Sequence, residues 1–113
     1  MPVTKIEIKS KIPFAGGQVF GDAGAYEQLD GMFYFAIDPK DASNQIIADV
    51  ELAPTNADGL VEFSSDFRIL RPVDSKLGNR RILMDVPNRG KQLAIRNINS
   101  GPDQSPDAPL DPG

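Results

Sequence analysis

The sequence predicts a mainly β fold of antiparallel strands with one short helix. Three observations support that class. Apolar and polar residues alternate at period two along most of the chain, turn-forming residues separate those runs at short intervals, and helical periodicity is confined to one stretch.

Ile6 and Ile8 alternate with Lys5, Glu7 and Lys9, which gives a half-exposed first strand. Met32–Ile37 is apolar on both faces and suits a buried strand. Ala48, Val50 and Leu52 alternate with Asp49 and Glu51. In Leu60–Leu70, Val61, Phe63, Phe67 and Ile69 lie on one face, opposite Glu62, Ser64, Asp66 and Arg68. That is the longest and cleanest alternation, and its polar face is expected to meet solvent or a partner. Ile82, Met84 and Val86 mark a further strand, Arg81–Val86.

The links carry turn chemistry. Pro39 biases Asp38 away from helix and cannot donate to a ladder, so Asp38-Pro39 ends the second strand. Asn56-Ala57-Asp58-Gly59 reads as a hairpin loop between two alternating runs, with Gly59 or Asn56 available for positive φ. Leu77-Gly78-Asn79 is a second turn, before the Arg81 strand. Strands joined by such short links pair antiparallel. Only Gly90–Ile98 offers a helix, about two turns long, in which Leu93 faces Asn97 or Ile98; so short a helix needs tertiary support. Residues 1–98 therefore form the β-rich region. Asn99–Gly113 holds four prolines and three aspartates with little apolar besides Leu110, and is expected to be a flexible tail.

Composition narrows function. With 113 residues, 40% of them hydrophobic, the chain is one domain at most with a modest core. A net charge of −4 argues against nonspecific binding to nucleic acid or acidic lipid. The absence of Cys removes a disulfide framework, a thiolate nucleophile and a Cys-type zinc site. The absence of His removes an imidazole base and an imidazole metal ligand. No metal site and no cofactor are therefore expected. No apolar run approaches the ~20 residues that span a bilayer, and Met1–Ser10 lacks the apolar block of a secretory signal. The default location is cytoplasmic, although a parent whose signal had been removed would read the same.

Most candidate chemistry reduces to structure. Ser64 and Ser65 lie in a strand pattern and not on a Gly-flanked turn, and a Ser-His-Asp triad has no imidazole. Glu62 and Asp66 share a strand face, but the 16 acidic residues are spread as a solvated surface would have them. The glycines of Ala15-Gly16-Gly17 and Gly21-Asp22-Ala23-Gly24 lack the Lys-Ser/Thr of a phosphate loop and read as turn punctuation. Charge is more suggestive. Seven of the 12 basic residues fall within Arg71–Arg96, opposed there only by Asp74 and Asp85. Pro87-Asn88-Arg89-Gly90 is rich in donors, and strands of α/β enzymes often end in such anion-stabilising turns. The competing account is a solvated edge on which Lys and Arg deter strand aggregation.

An ordered set of short motifs resembles a known family. Gly24-Ala25-Tyr26-Glu27, Leu29-Asp30-Gly31, Ile37-Asp38-Pro39, Leu52-Ala53-Pro54 with Asn56-Ala57-Asp58-Gly59, Ile69-Leu70-Arg71-Pro72 and Asp85-Val86-Pro87-Asn88-Arg89-Gly90 follow one another in that order, within a resemblance that covers about Ile6 to Asn99. Together they resemble the N-terminal region of a bacterial family of α/β-hydrolase-domain proteins, which are several times longer. The resemblance implies a serine-type ester hydrolase whose nucleophile, acid and histidine all lie downstream, so that no catalytic residue belongs to this chain. It implies that Arg81–Val86 is a core strand and that Asn88, Arg89 and Gly90 form an oxyanion loop, with Asn-Arg where such loops often carry His-Gly. It also implies that the chain is inert alone. The partners expected are the remainder of the hydrolase domain, a small ester in the complete protein, or a second copy pairing through exposed strands such as Phe33–Ile37 or the Phe63/Phe67 face. The competing class is a self-sufficient β-rich binding or assembly module without catalysis.

Overall fold

Strands form where alternation is sustained and a neighbour is close in sequence. A computed structural model describes residues 2–87, 89–101 and 112. Those residues hold one sheet of three antiparallel strands, β1 (Val3–Pro13), β2 (Tyr26–Ile37) and β3 (Val61–Pro72), in the order β1-β2-β3, and one α-helix, α1 (Ala94–Asn99). The mainly β class and the single short helix are as the sequence predicts. Asp38-Pro39 does end β2, where the Asp38 carboxylate accepts the Lys40 N–H at 2.8 Å.

Two expected strands do not form. Around Ala48–Leu52 the chain winds through successive i to i+3 backbone bonds, from Asn44 to Asp41, Ile47 to Asn44 and Val50 to Ile47, into a 3-10 turn at Val50–Leu52. The cause is side-chain competition: Asp41 accepts both the N–H and the hydroxyl of Ser43, and Asn44 donates to the Asp38 carbonyl. Arg81–Val86 keeps its alternation but joins no ladder, and the chain from 81 to 87 has no regular structure. The Asn56–Gly59 turn is present, with Asn56 Oδ1 accepting the N–H groups of Asp58 and Leu60 and Gly59 at φ 78°. It leads into β3 from an irregular segment, not from a paired strand. The helix begins at Ala94 and not at Gly90, because Arg89 and Gly90 are both left-handed, and Ser100 at φ 54° ends it. The expected tail falls almost wholly on residues outside those described.

The fold divides into two compact units, Met1–Lys11 with Leu29–Ile69, and Ile12–Gln28 with Leu70–Gly113. In the first, partner numbers fall along β3 as they rise along β2, as antiparallel pairing requires. Asp30 accepts Arg68 Nε at 2.6 Å, the Phe33 ring stacks on Phe67 at 4.3 Å, and Phe35 stacks on Phe63 at 4.8 Å. Period two puts the charges and the rings on opposite faces. On the charged face Tyr34 Oη donates to Glu7 at 2.8 Å and Lys5 sits over the Tyr34 ring, so Ile6, between them in β1, faces the aromatic side. That side is open: Ile6, Ile8, Phe63 and Ile69 are exposed. A one-residue slip of β3 would carry Arg68 away from Asp30 and Phe67 away from Phe33 together.

Gly31 is where this unit is tightest. A Cβ there would lie 2.0 Å from the Glu7 carbonyl oxygen and 2.7 Å from Phe67 Cζ. Glycine is required for space, since the Phe67 ring occupies the place of the missing side chain. The second unit gathers Phe14, Phe20 and Tyr26, with Phe14 stacked on Phe20 at 5.7 Å and Phe20 edge-on to Tyr26 at 5.8 Å. These rings, with Leu70 and Ile95, line a shallow cleft of about 230 Å³. Here Glu27, buried, accepts Arg71 Nε at 2.7 Å. The glycines 16, 17, 21 and 24 all have positive φ, in keeping with turn punctuation.

Gly31→Ala is expected to destabilise the fold by at least the ~1–3 kcal/mol typical of overpacking, because the obstacle is backbone and cannot rotate away. Urea unfolding followed by far-UV circular dichroism measures it. A loss under ~0.5 kcal/mol, the range of an ordinary surface change, would contradict the close approach.

Candidate functional site

The donor-rich turn at the end of Arg81–Gly90 is the site the sequence singles out. Asn88 lies outside the described residues. Arg89 (φ 52°) and Gly90 (φ 75°) are consecutive left-handed residues, both exposed. Such a pair reverses the chain sharply, and Lys91, Gln92 and Leu93 then lead into α1. Among the described residues, no hydrogen bond engages the N–H of Arg89 or Gly90. These two amides and one guanidinium could meet an anion.

The neighbouring donors are occupied. Asp85 Oδ2 accepts the N–H of Leu93 at 3.1 Å and of Ala94 at 3.0 Å, so its carboxylate caps α1. Two of the orphan amides that open a helix are satisfied this way, and the negative charge meets the positive end of the helix dipole. Leu93, the residue at the cap position, makes no side-chain cap bond of its own. The sequence gives no local sign of this, because the capping residue stands eight or nine positions upstream and not directly before the helix.

Arg71 pairs with Glu27, the Arg81 N–H bonds to Asn79 Oδ1 at 3.0 Å, and Arg80 is itself left-handed at φ 59°. Ser64 and Ser65 lie on β3, and Ser65 Oγ donates to the neighbouring Asp66 carbonyl at 3.2 Å. Glu62 accepts from Asn56 Nδ2 at 3.0 Å. No group of three or more acidic side chains that could hold a metal ion occurs among the described residues. No helix among them is long and apolar enough to cross a membrane.

One constellation escapes the sequence patterns. Lys5, Glu7 and Tyr34 meet across β1 and β2: Tyr34 Oη donates to Glu7 at 2.8 Å, Lys5 Nζ lies 3.7 Å from the same carboxylate, and Lys5 sits 5.1 Å from the ring centre. The Tyr34 hydroxyl, then the Lys5 charge, hold the Glu7 carboxyl below its ordinary 4.5, and the hydrogen bond to Glu7 raises the Tyr34 phenol above 10.0. A phenol pushed in that direction is a poor base and nucleophile at neutral pH. The cluster is a cross-strand clamp.

Set beside protein-family models, curated proteins and solved structures, the chain matches none. Its chemistry is therefore argued from its own residues. They offer two amides and a guanidinium at an exposed turn, a helix capped by its own chain, and no imidazole or thiol to pair with a nucleophile.

Asp85→Ala is expected to weaken α1 by about 1 kcal/mol, the usual loss of a capping carboxylate, and to speed amide exchange at Leu93 and Ala94 above all others. Uniform acceleration, or none, would sink the capping role. The clamp has a defined pH window. Because the folded pKa of Glu7 is depressed, its contribution is present above 4.5 and lost as pH falls through the folded value; because that of Tyr34 is raised, its contribution is present below 10.0 and lost as pH rises through the folded value. Tyr34→Phe should move Glu7 back toward 4.5 in a side-chain carbonyl NMR titration. An unmoved titration would assign the depression to Lys5.

Proposed function

We propose that this chain is the N-terminal scaffold of a serine-type ester hydrolase of the α/β-hydrolase class, inert by itself. The observation that carries the reading is Arg81–Val86. It is patterned as a strand, yet Ile82, Leu83, Met84 and Val86 are 95%, 70%, 82% and 75% exposed. Alternation without a ladder, on a segment whose apolar residues all face water, is what a strand looks like when its sheet is elsewhere. Support also comes from the turn that follows, where the amides of Arg89 and Gly90 remain available. In hydrolases of this class the loop after the third core strand supplies one oxyanion-hole N–H. Asn88, Arg89 and Gly90 would serve there, while the nucleophile, its base and its acid come from other residues. The ordered motifs from Gly24 to Gly90 point to the same family.

The second reading, a β-rich binding or assembly module, is favoured by the open aromatic face of Ile6, Ile8, Phe63 and Ile69. The reading frame beyond Gly113 separates the two. A Gly-x-Ser-x-Gly followed by a His supports the hydrolase, and a stop codon supports the module.

Under the hydrolase reading, Gly90→Trp in the complete enzyme should lower turnover of a short acyl ester roughly 10²–10³-fold with the fold intact, the loss typical of removing one oxyanion donor. Unchanged turnover would remove the turn from the site. The 113-residue chain itself should not hydrolyse p-nitrophenyl esters. A burst of product blocked by a serine-directed reagent would overturn the assignment.

A further inference from the structure

The segment that carries the functional reading is also self-complementary. We propose that Arg81–Val86 pairs antiparallel with the same segment of a second copy of this chain, about a two-fold axis at Leu83. The inference rests on reading this segment as a strand without a ladder, and does not depend on the hydrolase assignment.

Antiparallel pairing centred on Leu83 sets Arg81 opposite Asp85 of the other copy, twice, and Ile82 opposite Met84, twice. Opposite charges directly across a ladder stabilise pairing, and like charges destabilise it. No other register of this segment against itself places both charge pairs directly opposite. With period two, Arg81, Leu83 and Asp85 share one face while Ile82, Met84 and Val86 share the other, so pairing merges two exposed apolar rows into one. Asp85 can serve both purposes. Its Oδ2 holds the amides of Leu93 and Ala94, and its Oδ1 engages no other group among the described residues. Backbone donors and acceptors are free as well, since among the described residues none of Ile82, Leu83 or Met84 makes a backbone hydrogen bond.

The ends of the segment limit the length of the ladder. Pro87 has no N–H to extend the ladder, and Arg80 leaves extended backbone at φ 59°. A contact about a two-fold axis is isologous, the same patch serving in both copies. The β1 edge of the sheet is guarded differently. β1 carries Lys5, Lys9 and Lys11, the residue type that deters edge pairing, whereas Ile82–Met84 carries no charge.

The test uses charge reversal and mixing, with sedimentation equilibrium as readout and circular dichroism confirming that each variant folds. The unaltered chain should dimerise with rising concentration. Arg81→Asp alone should weaken the dimer at least about tenfold, because two attractive pairs become repulsive. Asp85→Arg alone should do the same. An equimolar mixture of the two variants should associate again, since each copy then meets its complement at both positions. The chain has no cysteine, so Leu83→Cys adds a single thiol at the axis; mild oxidation should yield a disulfide-linked dimer, while Val19→Cys, at an exposed position elsewhere, should not. A monomer at millimolar concentration would overturn the proposal. So would a dimer indifferent to both reversals, which would point to the aromatic sheet face, or a mixture that stays monomeric. None of these outcomes bears on ester hydrolysis or on the reading frame, so the two readings fail separately.

Discussion

Much of the first unit depends on one contact, the meeting of three strands at Gly31. The Glu7 carbonyl of β1 and the Phe67 ring of β3 both press on a position of β2 that has no side chain to resist them. A bare glycine in a strand normally weakens it by leaving nothing to pack. Here an aromatic ring from the adjacent strand fills the gap, the device known as aromatic rescue of a strand glycine. With that contact in place, Phe33 and Phe35 meet Phe67 and Phe63, and Asp30 meets Arg68. The ion pair is partly buried, so its Coulomb gain is offset by the cost of desolvating both groups. Its larger effect is on register, since charges and rings lie on opposite faces and both are lost in any one-residue slip.

The sequence revealed this architecture unevenly, and the reasons are physical. β3 was legible because Val61, Phe63, Phe67 and Ile69 share one face with Ser65 as the single polar break, and the end of β2 because Asp38-Pro39 terminates a ladder unambiguously. The early half of β2 was harder. Glu27 and Asp30 are charged residues in the middle strand, and their cross-strand partners, Arg71 and Arg68, make them acceptable there. Ala48–Leu52 misled because its alternation is genuine, yet Asp41, Ser43 and Asn44 offer the backbone nearer partners than any strand could. Arg81–Val86 misled differently. Its pattern states a capacity to pair, and pairing needs a neighbour.

At the candidate site the legible part was the turn itself, since Gly90 and the residues before it announce a sharp reversal. Two things were not legible. The φ of Arg89 puts a long side chain in a conformation that costs a non-glycine residue about 1 kcal/mol, and nothing in composition foretells it. The cap on α1 comes from Asp85, which pattern alone assigns to the strand face. One residue thus belongs to two elements at once.

That double membership has a thermodynamic consequence. Since the Asp85 carboxylate holds the first turn of α1, the free energy of forming the helix and that of fixing the segment upstream share a term. Any partner that orders Asp85 in its present place must steady α1, and any that draws the carboxylate away must loosen it. Linkage makes the relation reciprocal: forming α1 changes affinity at Arg81–Val86 by the same factor with which that partner changes the helix equilibrium, so a substitution inside α1 that touches no partner still alters binding. A six-residue helix too short to persist alone becomes a gauge of what binds the strand beside it.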